Sequence, residues 1–196
     1  NVFNSEPSGS EGSVYPDLLR HVQDAKGRVV VTSFASNAAR LQTLANVARK
    51  AGRKLCVAGR SLNRILSIAQ ATGYLKNLPD MVDMNALDQY RRNEVLVIAT
   101  GGQGEARAAL GRIAEGSHPI KLAEGDTVIF SSKQIPGNEV AIGKVMNQLA
   151  HRNIHMVTEK QGHVHVSGHP GRPELAALYG WVRPQILLPV HGERRH

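Results

Sequence analysis

Short runs dense in valine, isoleucine and leucine recur along this chain, and stretches with helical spacing separate most of them. The runs are Arg28 to Phe34, Lys54 to Gly59, Val95 to Thr100, Asp126 to Ser131, His155 to Thr158 and Ile186 to Val190. Runs that are apolar at consecutive rather than alternate positions suit strands covered on both faces, as in a parallel sheet. Between them, Asn37 to Ala51 places Leu41, Leu44 and Ala48 on one face, with Ser36 or Asn37 as its cap and Gly52 closing it. Ser61 to Thr72 repeats the pattern and ends near Gly73, Asn138 to His151 carries Ile142, Val145, Met146 and Leu149, and Glu174 to Val182 follows Pro173. Strand and helix alternating at this spacing predict an α/β fold. Its sheet should be open and mostly parallel, with right-handed crossovers and helices on both faces in a Rossmann-like three-layer arrangement. Lys76 to Asn93, interrupted by Pro79, reads as a loop with a short helix. The turn-rich opening from Asn1 to Gly12 reads as a loop, and its lack of an initiator methionine suggests a fragment.

A hydrophobic content of 41% over 196 residues gives enough material for a substantial core and argues against global disorder. No apolar run approaches the length needed to cross a bilayer, and the N-terminus carries no basic-then-apolar leader. The one cysteine, Cys56, lies in the apolar run Leu55-Cys56-Val57-Ala58 and reads as a buried structural thiol. A single cysteine allows no internal disulfide, which fits a cytoplasmic location. The net charge of +8 favours a polyanionic partner over a merely solvated basic surface by a modest margin. With aromatics at only 4%, phosphate contacts should outweigh base stacking in any nucleic-acid complex.

In open α/β sheets ligands bind beyond the carboxyl ends of the strands. Three segments fall there. Thr32-Ser33-Phe34-Ala35-Ser36-Asn37 sets hydroxyls and an amide at a helix N-terminus, where backbone N–H groups attract anions, although plain capping explains it equally well. Thr100-Gly101-Gly102-Gln103-Gly104-Glu105 permits close backbone approach to a ligand or simply a tight turn. Its spacing is neither the dinucleotide fingerprint nor a P-loop. Ser131-Ser132-Lys133-Gln134-Ile135-Pro136-Gly137-Asn138-Glu139 enters another helix and reads evenly as a phosphate cradle or as a turn and cap.

Five of the nine histidines fall between His163 and His196. Alternation in His163-Val164-His165-Val166-Ser167-Gly168-His169 puts His163 and His165 on one strand face, with His169 past the strand end. His191 follows the apolar run Leu187-Leu188-Pro189-Val190, where a metal ligand or acid–base group could sit. By spacing alone, surface or hydrogen-bonded core histidines are the commoner outcome.

Taken together and in order, these segments resemble the ribonuclease J family. The carrying motifs are Thr32 to Asn37, Gly102-Gln103-Gly104-Glu105, Ser131 to Glu139, His165-Val166-Ser167-Gly168-His169 and Pro189-Val190-His191-Gly192-Glu193. That family comprises metallo-β-lactamase-fold ribonucleases with an inserted β-CASP domain, acting on RNA as 5′-to-3′ exonucleases and endonucleases. The resemblance implies residues 1–25 as an N-terminal loop and lead-in segment, 26–185 as the β-CASP domain, and 186–196 as a strand and loop returning towards a metallo-β-lactamase domain. It makes His169 the catalytic acid or transition-state stabiliser beside the scissile phosphate. His191 becomes a ligand of a dinuclear zinc site. Single-stranded RNA would be held by Ser33, Ser36, Asn37, Gly102, Gln103, Ser131, Ser132, Lys133, Ser167, Gly168 and His169.

The family's H-x-H-x-D-H zinc cluster does not occur in this chain, and its first acidic β-CASP motif would precede Asn1. The resemblance therefore implies two zinc ions in a full-length enzyme and none held by this chain, which should be inactive alone. It implies partnership with the missing metallo-β-lactamase domain, and leaves oligomerisation of the longer protein open. Two rival classes remain: a free-standing α/β enzyme domain binding a nucleotide or phosphate ligand at the Gly-rich loop, and a basic interaction domain for a protein partner.

Overall fold

The computed structural model describes residues 2–190. They divide into two units, one of residues 11–165 and one combining 2–10 with 166–190.

In the larger unit β1 (Val29–Thr32), β2 (Lys54–Ala58), β3 (Val95–Ala99), β4 (Thr127–Phe130) and β5 (His155–Val157) form one sheet in the order β2-β3-β1-β4-β5. Each of these pairings is parallel, with Val30 of β1 set between Val97 of β3 and Val128 of β4. The consecutive apolar residues are buried on both sides. Val30, Cys56, Val97, Val128 and Phe130 share a core with Leu110, Ile113, Val145 and Leu149. By strand alternation Val29, Val31, Leu55, Leu96 and Ile98, all fully buried, serve the opposite face. The helices are α1 (Tyr15–Asp24), α2 (Ala38–Lys50), α3 (Arg60–Ala71), α4 (Ala109–Glu115) and α5 (Glu139–His151). Leu110 and Ile113 belong to α4, and Val145 and Leu149 to α5, so both helices lie on the first face. Cys56 is buried, and burial pushes its thiol up to about 11, as a structural cysteine requires.

The helix ends follow the sequence closely. Asn37 caps α2 by accepting a hydrogen bond from the Arg40 N–H at 2.9 Å, so the cap is Asn37 rather than Ser36. Gly52, just beyond, adopts a φ of +67°, the left-handed conformation that favours glycine. The Lys76 to Asn93 stretch is mostly loop, with short 3-10 turns at Met84–Gln89 and Arg92–Glu94.

Three local expectations fail. The lead-in 1–25 contains a full helix, α1, which with the preceding Val14 buries a stripe of Val14, Leu18 and Val22 at four-residue spacing. Pro16 lies in its first turn, where a missing N–H costs nothing, so it starts the helix instead of breaking it. Residues 163–166 keep alternating burial, Val164 and Val166 inside, His163 exposed and His165 half-buried, but they form no strand. Ile186 to Val190 is not a strand either. Its apolar side chains are exposed, Leu188 at 82% and Val190 at 81%.

The smaller unit is built around α6 (Arg172–Val182). Residues 2–8 strap its leading end. The Arg172 N–H donates to the Asn4 carbonyl at 2.9 Å, and the Glu174 carboxylate accepts from the Gly171 N–H at 2.6 Å and the Ser8 N–H at 3.0 Å. Those two N–H donors, Gly171 first, hold the Glu174 carboxyl below the usual carboxylate range. Gly171 has no room for a side chain, because a Cβ there would run into the Glu6 carbonyl. No residue of α6 is buried.

Candidate functional site

Carboxyl-end loops of the sheet meet at one point. A Cβ on Gly102, after β3, would lie 2.5 Å from Ser132 Oγ after β4 and 2.9 Å from Thr32 Oγ1 at the end of β1. Only glycine allows that convergence. Gly101, with φ +112°, turns the chain out of β3 just before it.

Gln103 locks the same junction. Its side chain is buried, donates through Nε2 to the Lys133 carbonyl at 2.8 Å, and accepts at Oε1 from the Ile135 N–H at 2.9 Å and Asn138 Nδ2 at 3.3 Å. The amide is thus spent on shaping the 132–138 loop. Ser131 is similarly committed. It is buried, donates through Oγ to the Val164 carbonyl at 2.7 Å, and receives a bond from Arg40 Nη1. Arg40, fully buried, also pairs with Glu11 at 2.8 Å and donates to the carbonyls of Ser131 at 3.0 Å and Val164 at 3.2 Å. One guanidinium therefore ties the chain before α1, the start of α2, the end of β4 and the segment after β5. A buried charge is tolerable only when paired and fully hydrogen-bonded, as here.

Above the convergence point lies a crevice of about 1050 Å³. Ser33, Gly102 and Ser132 line it, together with residues the sequence reading did not single out: Arg60, Arg64, Arg107, Arg112 and His118. Four arginines face one acidic residue, Glu105, among the lining residues. Arg60 and Arg64 stand one turn apart at the start of α3, where the helix dipole disfavours positive charge and like charges at i and i+4 repel. Each effect is worth only a few tenths to about 1 kcal/mol, and both are relieved by an anion held between the side chains. That clash with local helix preference is the signal in the sequence that could have marked the pair. His118 is buried, and its Nδ1 accepts from the Ile120 N–H at 3.1 Å. Burial, then Arg112 and Lys121, hold it below the usual histidine range, so the crevice takes its positive charge from arginine.

The other expected residues are elsewhere. Ser36 is exposed beside the α2 cap, and Asn37 is occupied by Arg40 N–H and by Glu11, to which its Nδ2 donates at 2.9 Å. Lys133 is exposed on the 132–138 loop. Ser167, Gly168 and His169 belong to the smaller unit. There Ser167 Oγ accepts from the His169 N–H at 3.1 Å and Ser8 Oγ donates to the His169 carbonyl. These bonds fix the backbone of His169 and do not engage its imidazole. His191 lies outside the described residues. Among the described residues no group of three or more histidine, cysteine, aspartate or glutamate side chains could hold a metal ion. No described helix is long and apolar enough to cross a membrane.

An open parallel sheet carrying a glycine-closed, arginine-lined crevice at its carboxyl edge places this chain among α/β domains of the Rossmann-like class. The particular family follows from comparison: residues 26–149 match the model described as "Ribonuclease J, beta-CASP domain", and the chain belongs to that family. Residues 154–196 match a second model, "Zn-dependent metallo-hydrolase RNA specificity domain". Among curated relatives, the chain is 42% identical over its whole length to a ribonuclease J of Sinorhizobium meliloti, covering 35% of that protein. It is 44% identical to those of Mycolicibacterium smegmatis, with 98% of this chain and 36% of that protein covered, and Corynebacterium glutamicum, with 100% and 28%. The chain thus spans about a third of the length of these relatives.

Proposed function

We propose that this chain is the RNA-holding module of a metal-dependent ribonuclease J-type hydrolase, and that the arginine crevice takes the phosphates of single-stranded RNA. The observation that carries this is the ring of Arg60, Arg64, Arg107 and Arg112 around a cavity at the sheet's carboxyl edge, opposed by Glu105 alone among its lining. Guanidinium forks suit phosphate oxygens, and backbone N–H groups at a helix start add fixed positive potential. Ser33, Gly102 and Ser132 form the floor, while Gln103 and Ser131 hold the loops in shape. A nucleotide-sized ligand would also fit the cavity's charge. Membership of a ribonuclease family favours the polymer.

His169 is assigned to the chemistry at the scissile phosphate and His191 to a metal held largely by residues beyond this chain. The exposed apolar stretch at Leu178, Trp181, Ile186, Leu188 and Val190 is assigned to packing against the metallo-β-lactamase part of the longer polypeptide. A cytoplasmic setting goes with this reading.

Titration of the chain with a labelled single-stranded RNA tests it. Affinity should fall in the range of about 10⁻⁴ to 10⁻⁶ M and weaken with salt at a slope of roughly −0.7 per phosphate neutralised. Binding at low salt that is indifferent to ionic strength, or unchanged in the Arg60→Ala, Arg64→Ala double variant, overturns the crevice as the RNA site. The chain alone should not shorten a 5′-monophosphorylated RNA with added zinc or manganese. In the longer enzyme, His169→Ala should slow cleavage about 10² to 10⁴-fold with metal content intact. His191→Ala should lower metal content as well as rate.

A further inference from the structure

Beside the crevice is a second cavity of about 380 Å³ that shares Gly102 and Ser132 with it and has a different chemistry. Its floor is apolar: Phe130 and Ile142 are nearly inaccessible, and Met146 and Met156 are partly buried against the same core. Its rim is polar and neutral in sum, since Glu159 and Lys160 offset each other beside Gln134 and Gln161. Such a cavity does not select for phosphate. It suits a flat, neutral, hydrogen-bonding group of the kind found in pockets with apolar walls and a few placed polar atoms.

We infer that this second cavity takes one unstacked nucleobase of the strand whose phosphates lie in the arginine crevice. The inference rests on the proposed RNA reading of that crevice and adds a base-binding subsite to it. Single-stranded RNA is commonly held with bases splayed out of the stack, and a base lodged here would leave its phosphate near the shared wall at Gly102 and Ser132. Aromatic platforms are scarce in this chain, with three phenylalanines, four tyrosines and one tryptophan, and of these only Phe130 lines the cavity. Met146 and Met156 supply the alternative, because polarisable thioethers pack well on π-systems. Gln161 has its Oε1 committed to the Thr158 N–H at 2.9 Å and the Thr158 hydroxyl at 2.7 Å, so what it offers a ligand is the Nε2 donor. Gln134, exposed on the loop that Gln103 holds, offers a whole amide. Donor and acceptor together can read a base edge, whereas a phosphate would meet Glu159.

The chain has four methionines: Met146 and Met156 in this cavity, Met84 in the crevice lining, and Met81 in neither. Carbon-13 methyl spectra of methionine-labelled chain, assigned with Met→Leu variants, give one reporter signal for each. The probes are a tetranucleotide of RNA and an abasic ribose-phosphate oligomer with the same number of phosphates. With the RNA, the Met146 and Met156 methyls should move through the ring current of the base while Met81 stays still. With the abasic oligomer they should be silent. Affinity for the RNA should exceed that for the abasic oligomer by about tenfold, the effect of one stacked base. Suppose the two methyls stay still with both probes, while binding of the abasic oligomer weakens in the Arg60→Ala, Arg64→Ala variant. The base pocket is then wrong and the crevice reading stands. Equal movement with both probes also rejects a base pocket. Binding of neither probe at low salt removes the crevice reading and this inference with it.

Discussion

Val29–Thr32 and Ile186 to Val190 are alike as sequence, short and rich in branched aliphatic residues, yet they end in opposite states. The first is strand β1, wholly buried between β3 and β4. The second is irregular, with Ile186 at 78% and Leu188 at 82% exposure. A strand's backbone groups need a ladder on each side, and its side chains need cover on each face. β1 obtains both because the later crossovers, from β2 and then from β3, bring β3 and β4 to its two edges. Ile186 to Val190 has no ladder partner among the described residues, and Pro189 within it lacks the N–H a central strand would donate. Apolar composition therefore states what a segment can become, and the neighbours decide whether it does.

The sharpest way to break this contrast is a pair of truncations. Leu96→Ala in β3, at a fully buried side chain, should destabilise the chain by about 2–5 kcal/mol. Leu188→Ala should change its stability by no more than about 0.5 kcal/mol. Chemical denaturation of both variants reads the difference, and a large loss for Leu188→Ala would mean the segment is packed in this chain after all. In the longer protein Leu188→Ala should become costly, if that segment is covered there as proposed.

Next in size is Arg40→Ala. Removing this guanidinium takes a donor from Ser131 and from the Val164 carbonyl and leaves the Glu11 carboxylate with Asn37 Nδ2 in place of its ion pair, for about 3 kcal/mol, discounted because Glu11 is 29% exposed. The same denaturation experiment measures it. A loss under about 1 kcal/mol would show that the strand-end loops do not depend on that hub. Arg60→Ala should leave the melting temperature nearly unchanged and lower RNA affinity, reducing the salt slope by about one phosphate contact.

The smallest expected effect is on pH dependence. Burial, then Arg40, depresses His165, and burial, then Arg112, depresses His118, both below the ordinary value of 6.5. The unfolded chain then takes up protons first, so stability is full above about pH 7 and declines as acidity increases through the histidine range. Melting curves from pH 8 to pH 5 should show a steady fall, shallower in His165→Gln. A rise on acidification would contradict the burial of both rings.

Most of the architecture was legible in the residues. Consecutive apolar runs named the five strands, four-residue periodicity named most helices, and Gly52 and Asn37 marked ends where they stand. Two helices, α1 and α4, were given no bounds, and α1 was hidden by Pro16, which breaks a helix interior but suits its first turn. The candidate site was less legible. Strand-end loops were found, but not the internal hydrogen bonds that Gln103 and Ser131 make across them, nor Arg60, Arg64, Arg107 and Arg112 in the crevice lining.

The chain's covalent order determined its periodicities, its glycine turns and its excess of positive charge, because each depends on neighbours a few residues apart. Only the tertiary structure decided which polar side chains stay available to a ligand. That depends on partners far along the chain: Ser131 meets Arg40 from 91 residues away, and Gln103 meets Ile135 from 32 away. Four scattered arginines come to line one crevice for the same reason, since a parallel sheet brings the carboxyl ends of its strands to a single edge.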